Sequence, residues 1–228
     1  MRMKIGIFCL IVFFLMAVIV SEKNVSAKDR GFTVLALGDS TTAGTPGFLS
    51  PAEAPPDGSG DIKSQYAYWI LQKHPEWTVL NRGVRGRRSD QIFNRFKRGL
   101  ASAHPDVVVV LAGVNDLYQG YPAVYVEAQL KQIYELALKN DIRILACTIL
   151  PYNESTPKVK QEMSRVNDWI RSYSKEHGIL FCDTYVVLND VKNPGNLAGT
   201  PDGIHPDVEG YHQMGDAIRE VLEKTRTQ

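Results

Sequence analysis

The chain has 228 residues, 44% hydrophobic and 22% charged, a composition of ordinary globular proteins and long enough to bury a core. With 26 Lys and Arg against 25 Asp and Glu, it lacks the basic excess of a nucleic-acid-binding chain. Its 3 cysteines are too few for a disulfide framework.

Arg2 and Lys4 precede an apolar run over 5–20, interrupted by Gly6 and Cys9, and a polar segment follows over 21–28. Basic, apolar, then polar with small residues is the layout of a secretory signal, and Val25-Ser26-Ala27 offers a cleavage site. The apolar run is shorter than the roughly 20 residues of a membrane span. Residues 1–27 are therefore expected to be a signal peptide and 28–228 one domain, secreted or in the cell envelope. An uncleaved N-terminal membrane anchor is the alternative. Cys9 lies inside the run rather than at its end, where a lipid-modified cysteine would stand.

After the leader, short apolar runs alternate with longer amphipathic stretches. The first run, 32–37, is followed directly by Gly38-Asp39-Ser40. A serine there can begin a helical turn, with its hydroxyl exposed above the sheet and local N–H groups aimed at an oxyanion; as a helix N-cap it would be equally ordinary. Residues 45–63 are rich in Pro, Gly and Ala, and a connection that long is more often functional than idle. A helix is expected over 65–74 and a strand over 78–80, then Asn81-Arg82-Gly83, where a glycine lets the backbone approach a ligand or simply makes a turn. Arg82, Arg85, Arg87 and Arg88 crowd this stretch: either a solvated basic loop or a rim for transient contact with an anionic substrate or surface.

Ser89-Asp90 can cap a helix over 90–103. The run 107–111 leads into Gly113-Val114-Asn115-Asp116, where the Asn115 amide can donate to developing negative charge, although Asn-Asp also starts helices. A helix over 123–140, a strand over 142–150, a helix over 159–177 closed by Gly178 and a strand over 179–182 follow. Cys147 and Cys182 lie in two of these strands, as buried thiols or as a single bridge. Asp202-Gly203-Ile204-His205-Pro206 then precedes a final helix over 208–223. A carboxylate three residues before a histidine, framed by Gly and Pro, can bond one imidazole nitrogen and leave the other free.

Apolar strands alternating with helices indicate βαβ units and a parallel sheet between helical layers, a three-layer α/β/α sandwich. In such sheets the site forms beyond the carboxyl ends of the strands, where all four motifs fall. Together these motifs, in this order, resemble the four signature blocks of the SGNH (GDSL-like) hydrolase family across essentially the whole mature chain. The resemblance implies a flavodoxin-like five-stranded parallel sheet and a serine esterase. It implies Ser40 as nucleophile, His205 as base and Asp202 as its orienter, with an oxyanion hole from the Ser40 and Gly83 backbone N–H groups and the Asn115 side chain. No metal or organic cofactor enters such a mechanism.

Small-molecule or glycan esters are the expected substrates. The tyrosines after the third and fourth strands (Tyr118, Tyr121, Tyr152) and a weak apolar lining point to short acyl groups. A lysophospholipase or thioesterase acting on longer chains is the alternative. A non-catalytic binding module on the same fold, or a metal-dependent phosphatase or nuclease built on Asp39, Asp116 and Asp202, are readings from other classes. An α/β-hydrolase is disfavoured, since it needs G-x-S-x-G in mid-chain.

Overall fold

The structure, a computed structural model, describes residues 31–226; the expected leader, 1–27, lies outside the described residues. The main sheet is parallel and contains β1 (Thr33–Gly38), β4 (Thr78–Asn81), β5 (Val107–Leu111), β6 (Arg143–Cys147) and β7 (Leu180–Cys182), in the order β4-β1-β5-β6-β7. This is the flavodoxin-like order, which reverses direction between β1 and β5 and opens a crevice at their carboxyl ends.

Side chains alternate across each strand, so one sheet serves two cores. Leu35, Leu37, Val108, Val110, Ile144 and Ala146 pack against α3 (Ser89–Ala103), α5 (Ala123–Lys139) and α6 (Pro157–His177). Val34, Ala36, Val107, Val109, Leu145 and Cys147 face α2 (Tyr66–Lys73) and α8 (Val208–Arg226). The expected three layers are present. Every residue of β5 is buried, and each such valine contributes about 1.5–3 kcal/mol relative to exposure. Cys147 and Cys182 are register partners on β6 and β7, both buried and free.

Three of the boundaries that differ from the sequence reading do so because a side chain competes for the backbone. The run 142–150 leaves the sheet after Cys147: Asn167 of α6 accepts from Ile149 N at 2.8 Å and donates to Ile149 O at 3.0 Å, replacing the ladder. Ser89 does not cap α3 but is its first helical residue, and its N–H and hydroxyl donate to Asp116 at 2.9 and 2.7 Å. Thr156 caps α6, which starts at Pro157 rather than 159. Gly178 closes α6 as expected, with φ 64°.

The segment 45–63 is ordered: β2 (Phe48–Leu49) and β3 (Ser59–Gly60) pair antiparallel, and one 3₁₀ turn, Ile62–Ser64, leads to α2. Among the described residues, three short helices stand at strand ends: α1 (Ser40–Ala43), α4 (Val114–Tyr118) and α7 (Thr184–Leu188).

Candidate active site

Ser40 is the first residue of α1, directly beyond β1, and is 8% exposed. Asp39 holds the turn by accepting from Thr41 N at 3.0 Å. The Ser40 N–H is one of the first-turn donors that a helix leaves without an internal acceptor. Asp39 is itself buried, and that burial pushes its carboxyl up to about 7, with the bond from Thr41 opposing and the Asp116 charge adding to the shift.

His205 arrives from the loop before α8. Its Nε2 lies 2.9 Å from Ser40 Oγ and its Nδ1 lies 2.7 Å from Asp202 Oδ2. Asp202 Oδ1 also accepts from the N–H groups of Ile204 and His205, at 3.0 and 2.8 Å. Burial alone would raise the Asp202 carboxyl, but the bonds from the His205 ring, His205 N and Ile204 N outweigh it and hold the group below the usual carboxylate range. An ionised Asp202 can only accept, so Nδ1 carries the imidazole proton and Nε2 presents its lone pair to Ser40. The loop is tied down by Asn153, whose N–H donates to Gly203 O at 2.7 Å.

The three expected oxyanion donors are placed differently from one another. Asn115, in α4, lines the cleft and spends one amide proton on Arg87 O at 3.1 Å, leaving the other. Gly83 packs so closely on α1 that a Cβ would collide with the Ala43 nitrogen, which is why glycine stands there. Its N–H, however, donates to Asn81 Oδ1 at 3.0 Å in this structure. Asn81 also donates to Ala43 O at 3.2 Å and Gln65 Oε1 at 2.8 Å, tying β4, α1 and the start of α2 together.

The sequence reading missed Asn81 as a brace, although it stood inside the second motif. It also missed two residues of the 45–63 segment. Ser50 Oγ donates to Gly83 O at 2.6 Å, and Glu53 accepts from Arg85 N at 3.0 Å and Arg85 Nε at 3.2 Å. Nothing in their spacing marks them, because both act across more than 30 residues.

The cleft above Ser40 and His205 has a volume of roughly 290 Å³. Tyr118 and Tyr152 line it, as expected, in an edge-on pair 6.4 Å apart. Tyr121 does not; it packs on Tyr125, under the Arg88 guanidinium. The expected weak apolar lining is also corrected, since Leu111, Val114, Ile149, Leu150 and Ile204 form much of the wall. Ile149 and Leu150 reach it because the chain peels off the sheet after Cys147.

The four arginines do not form one rim. Arg85 lines the cleft but is paired with Glu53, and Arg88 is paired with Asp90 at 3.1 Å, whereas Arg82 faces a different cavity. The three carboxylates of the metal reading are also engaged separately: Asp39 by Thr41, Asp116 by Ser89 and Asp202 by His205. Among the described residues, no three His, Cys, Asp or Glu side chains group so as to hold a metal ion.

Known proteins resemble this chain in sequence and fold. An acetylxylan esterase from Geobacillus stearothermophilus is 25% identical over 218 residues, covering 84% of this chain and 94% of its own. Solved structures share the fold. A GDSL-like lipase from Bacteroides thetaiotaomicron has 24% identity and a TM-score of 0.69, over 87% of this chain and 90% of its own. A point mutant of an acetyl-xylooligosaccharide esterase from Geobacillus has 22% identity and a TM-score of 0.64, over 84% and 94%. Residues 36–213 match the GDSL-like lipase/acylhydrolase family, so the described domain, with its motifs at the strand ends of a flavodoxin-like sheet, belongs to that family of ester-hydrolysing serine hydrolases.

Proposed function

We propose that the chain is an exported esterase in which Ser40 is the nucleophile, His205 the general base and Asp202 its orienter, and that it removes short acyl groups from polar, sugar-like alcohols. The observation that carries the catalytic assignment is the unbroken chain of hydrogen bonds from Ser40 Oγ through His205 to Asp202, at 2.9 and 2.7 Å, opening on a cleft that Asn115 also lines.

In this mechanism His205 Nε2 takes the Ser40 proton as Oγ attacks the ester carbonyl. The carbonyl oxygen becomes an oxyanion facing the Ser40 N–H and the Asn115 amide. Gly83 joins as a third donor only by sharing or releasing its bond to Asn81. The tetrahedral centre collapses, the leaving alkoxide takes the proton from His205, and water repeats the sequence on the acyl-enzyme to release the acid and regenerate Ser40. A fluorophosphonate probe should label wild-type protein at Ser40; labelling retained in Ser40→Ala would overturn the assignment.

The short-acyl, sugar-alcohol reading is supported by the two tyrosines at the cleft and by the acetylxylan esterase likeness. The second reading, longer acyl chains, is favoured by the apolar wall, since each buried CH₂ would contribute about 0.8 kcal/mol. A panel of nitrophenyl esters and acetylated sugars separates them: kcat/KM peaking at about two to four acyl carbons supports the first, and a steady rise through long chains supports the second. Export rests on the composition of residues 1–27. N-terminal sequencing of protein recovered from medium or envelope should find the chain starting near Lys28, and a full-length, membrane-retained chain would replace export by anchoring.

A further inference from the structure

A second cavity, of roughly 340 Å³, lies on the α3 side of β1 and shares no residue with the cleft above Ser40. Its floor includes Leu35, Leu37 and Phe96, and its walls carry Arg82 from the end of β4 and Arg95 and Arg98 from α3. Arg95 and Arg98 are three apart on a helix and so share a face.

These guanidinium groups differ from the others among the described residues. Arg85, Arg88, Arg165, Arg171 and Arg219 each meet a carboxylate, and Arg143 is bonded to a backbone carbonyl. Arg82, Arg95 and Arg98 have no acceptor among the described residues, and neither does the guanidinium of neighbouring Arg87. Among the described residues, the arginines without an acceptor are therefore neighbours. Half-buried Arg95 experiences this directly: burial disfavours its charge most, and Arg87, Arg82 and Arg98 add repulsion that Glu53, already committed to Arg85, only partly offsets. Arginine does not escape by losing its proton, so the folded chain holds like charges together around a space open to a ligand.

We propose that Arg82, Arg95 and Arg98 form a binding site for the phosphoryl group of a small phosphate monoester, apart from the cleft that cleaves esters. A carboxylate is satisfied by a single bidentate guanidinium, whereas three forks around one cavity suit a tetrahedral dianion with three free oxygens. The cavity exceeds the size of a phosphate alone, leaving room for a short organic group.

The test is calorimetric titration of the whole chain with glycerol 3-phosphate, with inorganic phosphate and with phosphatidic acid vesicles, each against sodium chloride of matched ionic strength. Saturable binding of glycerol 3-phosphate is expected, unchanged in Ser40→Ala and weakened about tenfold or more in Arg95→Gln and Arg98→Gln. Inorganic phosphate should bind at the same site, which identifies the phosphoryl group as the recognised element. Binding to vesicles only, no saturation beyond the salt control, or affinities within about twofold of wild type in both variants would overturn the proposal. Should either variant misfold, the side-chain Nε–H resonances of Arg95 and Arg98 in the wild-type chain decide it: they must shift on adding glycerol 3-phosphate, and unmoved resonances reject the site.

Discussion

The two halves of the candidate site are held in place by different physics. On the serine side, α1 is wholly buried, Gly83 presses against its backbone, and the carboxylate that caps it is driven toward its neutral form by burial. On the histidine side, Asp202 is exposed, and hydrogen bonds within its own loop hold its carboxyl low. Packing thus fixes the nucleophile, while local hydrogen bonding fixes the base. Two aspartates next to one reaction centre are pushed in opposite directions for that reason, so damage to the two sides should look different.

The largest effects should remove this distinction. Ser40→Ala and His205→Ala are each expected to cost about 10⁶ in kcat, since the members of such a triad act as a unit, while thermal unfolding stays near wild type because neither group supports a core. Residual activity above a hundredth of wild type (about 2.7 kcal/mol, far short of a lost triad member) in either would break the assignment. Asp202→Ala should cost less, about 10⁴, because His205 keeps its place beside Ser40 with poorer orientation; a loss equal to that of Ser40→Ala would mean that the histidine loop collapses without it. Asn115→Ala should lower kcat by about 10² to 10³ with little change in KM, the mark of a bond that strengthens as charge develops. A change mainly in KM would make Asn115 a substrate-positioning residue.

The smallest change in activity, and the sharpest contrast between the halves, should come from Asp39→Asn. Asn can still accept from Thr41 N, so turnover should persist. Burial raises the folded-state carboxyl from an ordinary 3.8 to about 7, so between these values the folded chain keeps a proton that the unfolded chain has released. Its stabilising contribution is complete below the lower value and is lost as pH rises through the upper one. Asp39→Asn should therefore match wild type near pH 4 and exceed it above pH 7, by up to about 4 kcal/mol at 1.36 kcal/mol per unit. Denaturant melts across that range check this, and equal pH dependence in the two proteins would refute a buried neutral Asp39. Asp202 has the opposite sign: its contribution is present above the ordinary carboxylate value and is lost as pH falls.

What was legible in the sequence followed the same division. The five strands and the long helices α2, α3, α5, α6 and α8 were readable because continuous apolar runs and helical periodicity are properties of neighbouring residues. The four motifs at strand ends were readable because parallel-sheet topology sends them to one edge. Two of the misread boundaries turn on distant partners. The extra residues given to the 142–150 strand are as apolar as the rest, and only Asn167, 18 positions away, takes their hydrogen bonds. Ser89 has the right chemistry for a cap, but Asp116 recruits it. Gly83 is in place, yet Asn81 holds its N–H. The burial that raises Asp39 has no local signature at all.

For anyone redesigning this protein, the Pro- and Gly-rich stretch over 45–63 looks like spare chain to delete or to exchange with a relative's loop. Loop-closure entropy alone would permit such surgery, as it grows only slowly with length. The Ser50 bond to the Gly83 carbonyl and the Glu53 bonds to Arg85 forbid it, because that stretch is the outer clamp on the strand-end turn behind α1. Cutting it out would leave the Gly83 carbonyl without the partner given by wholly buried Ser50, a cost of about 1–3 kcal/mol. A graft would have to carry the 45–63 loop and the Asn81–Arg85 turn as one cassette.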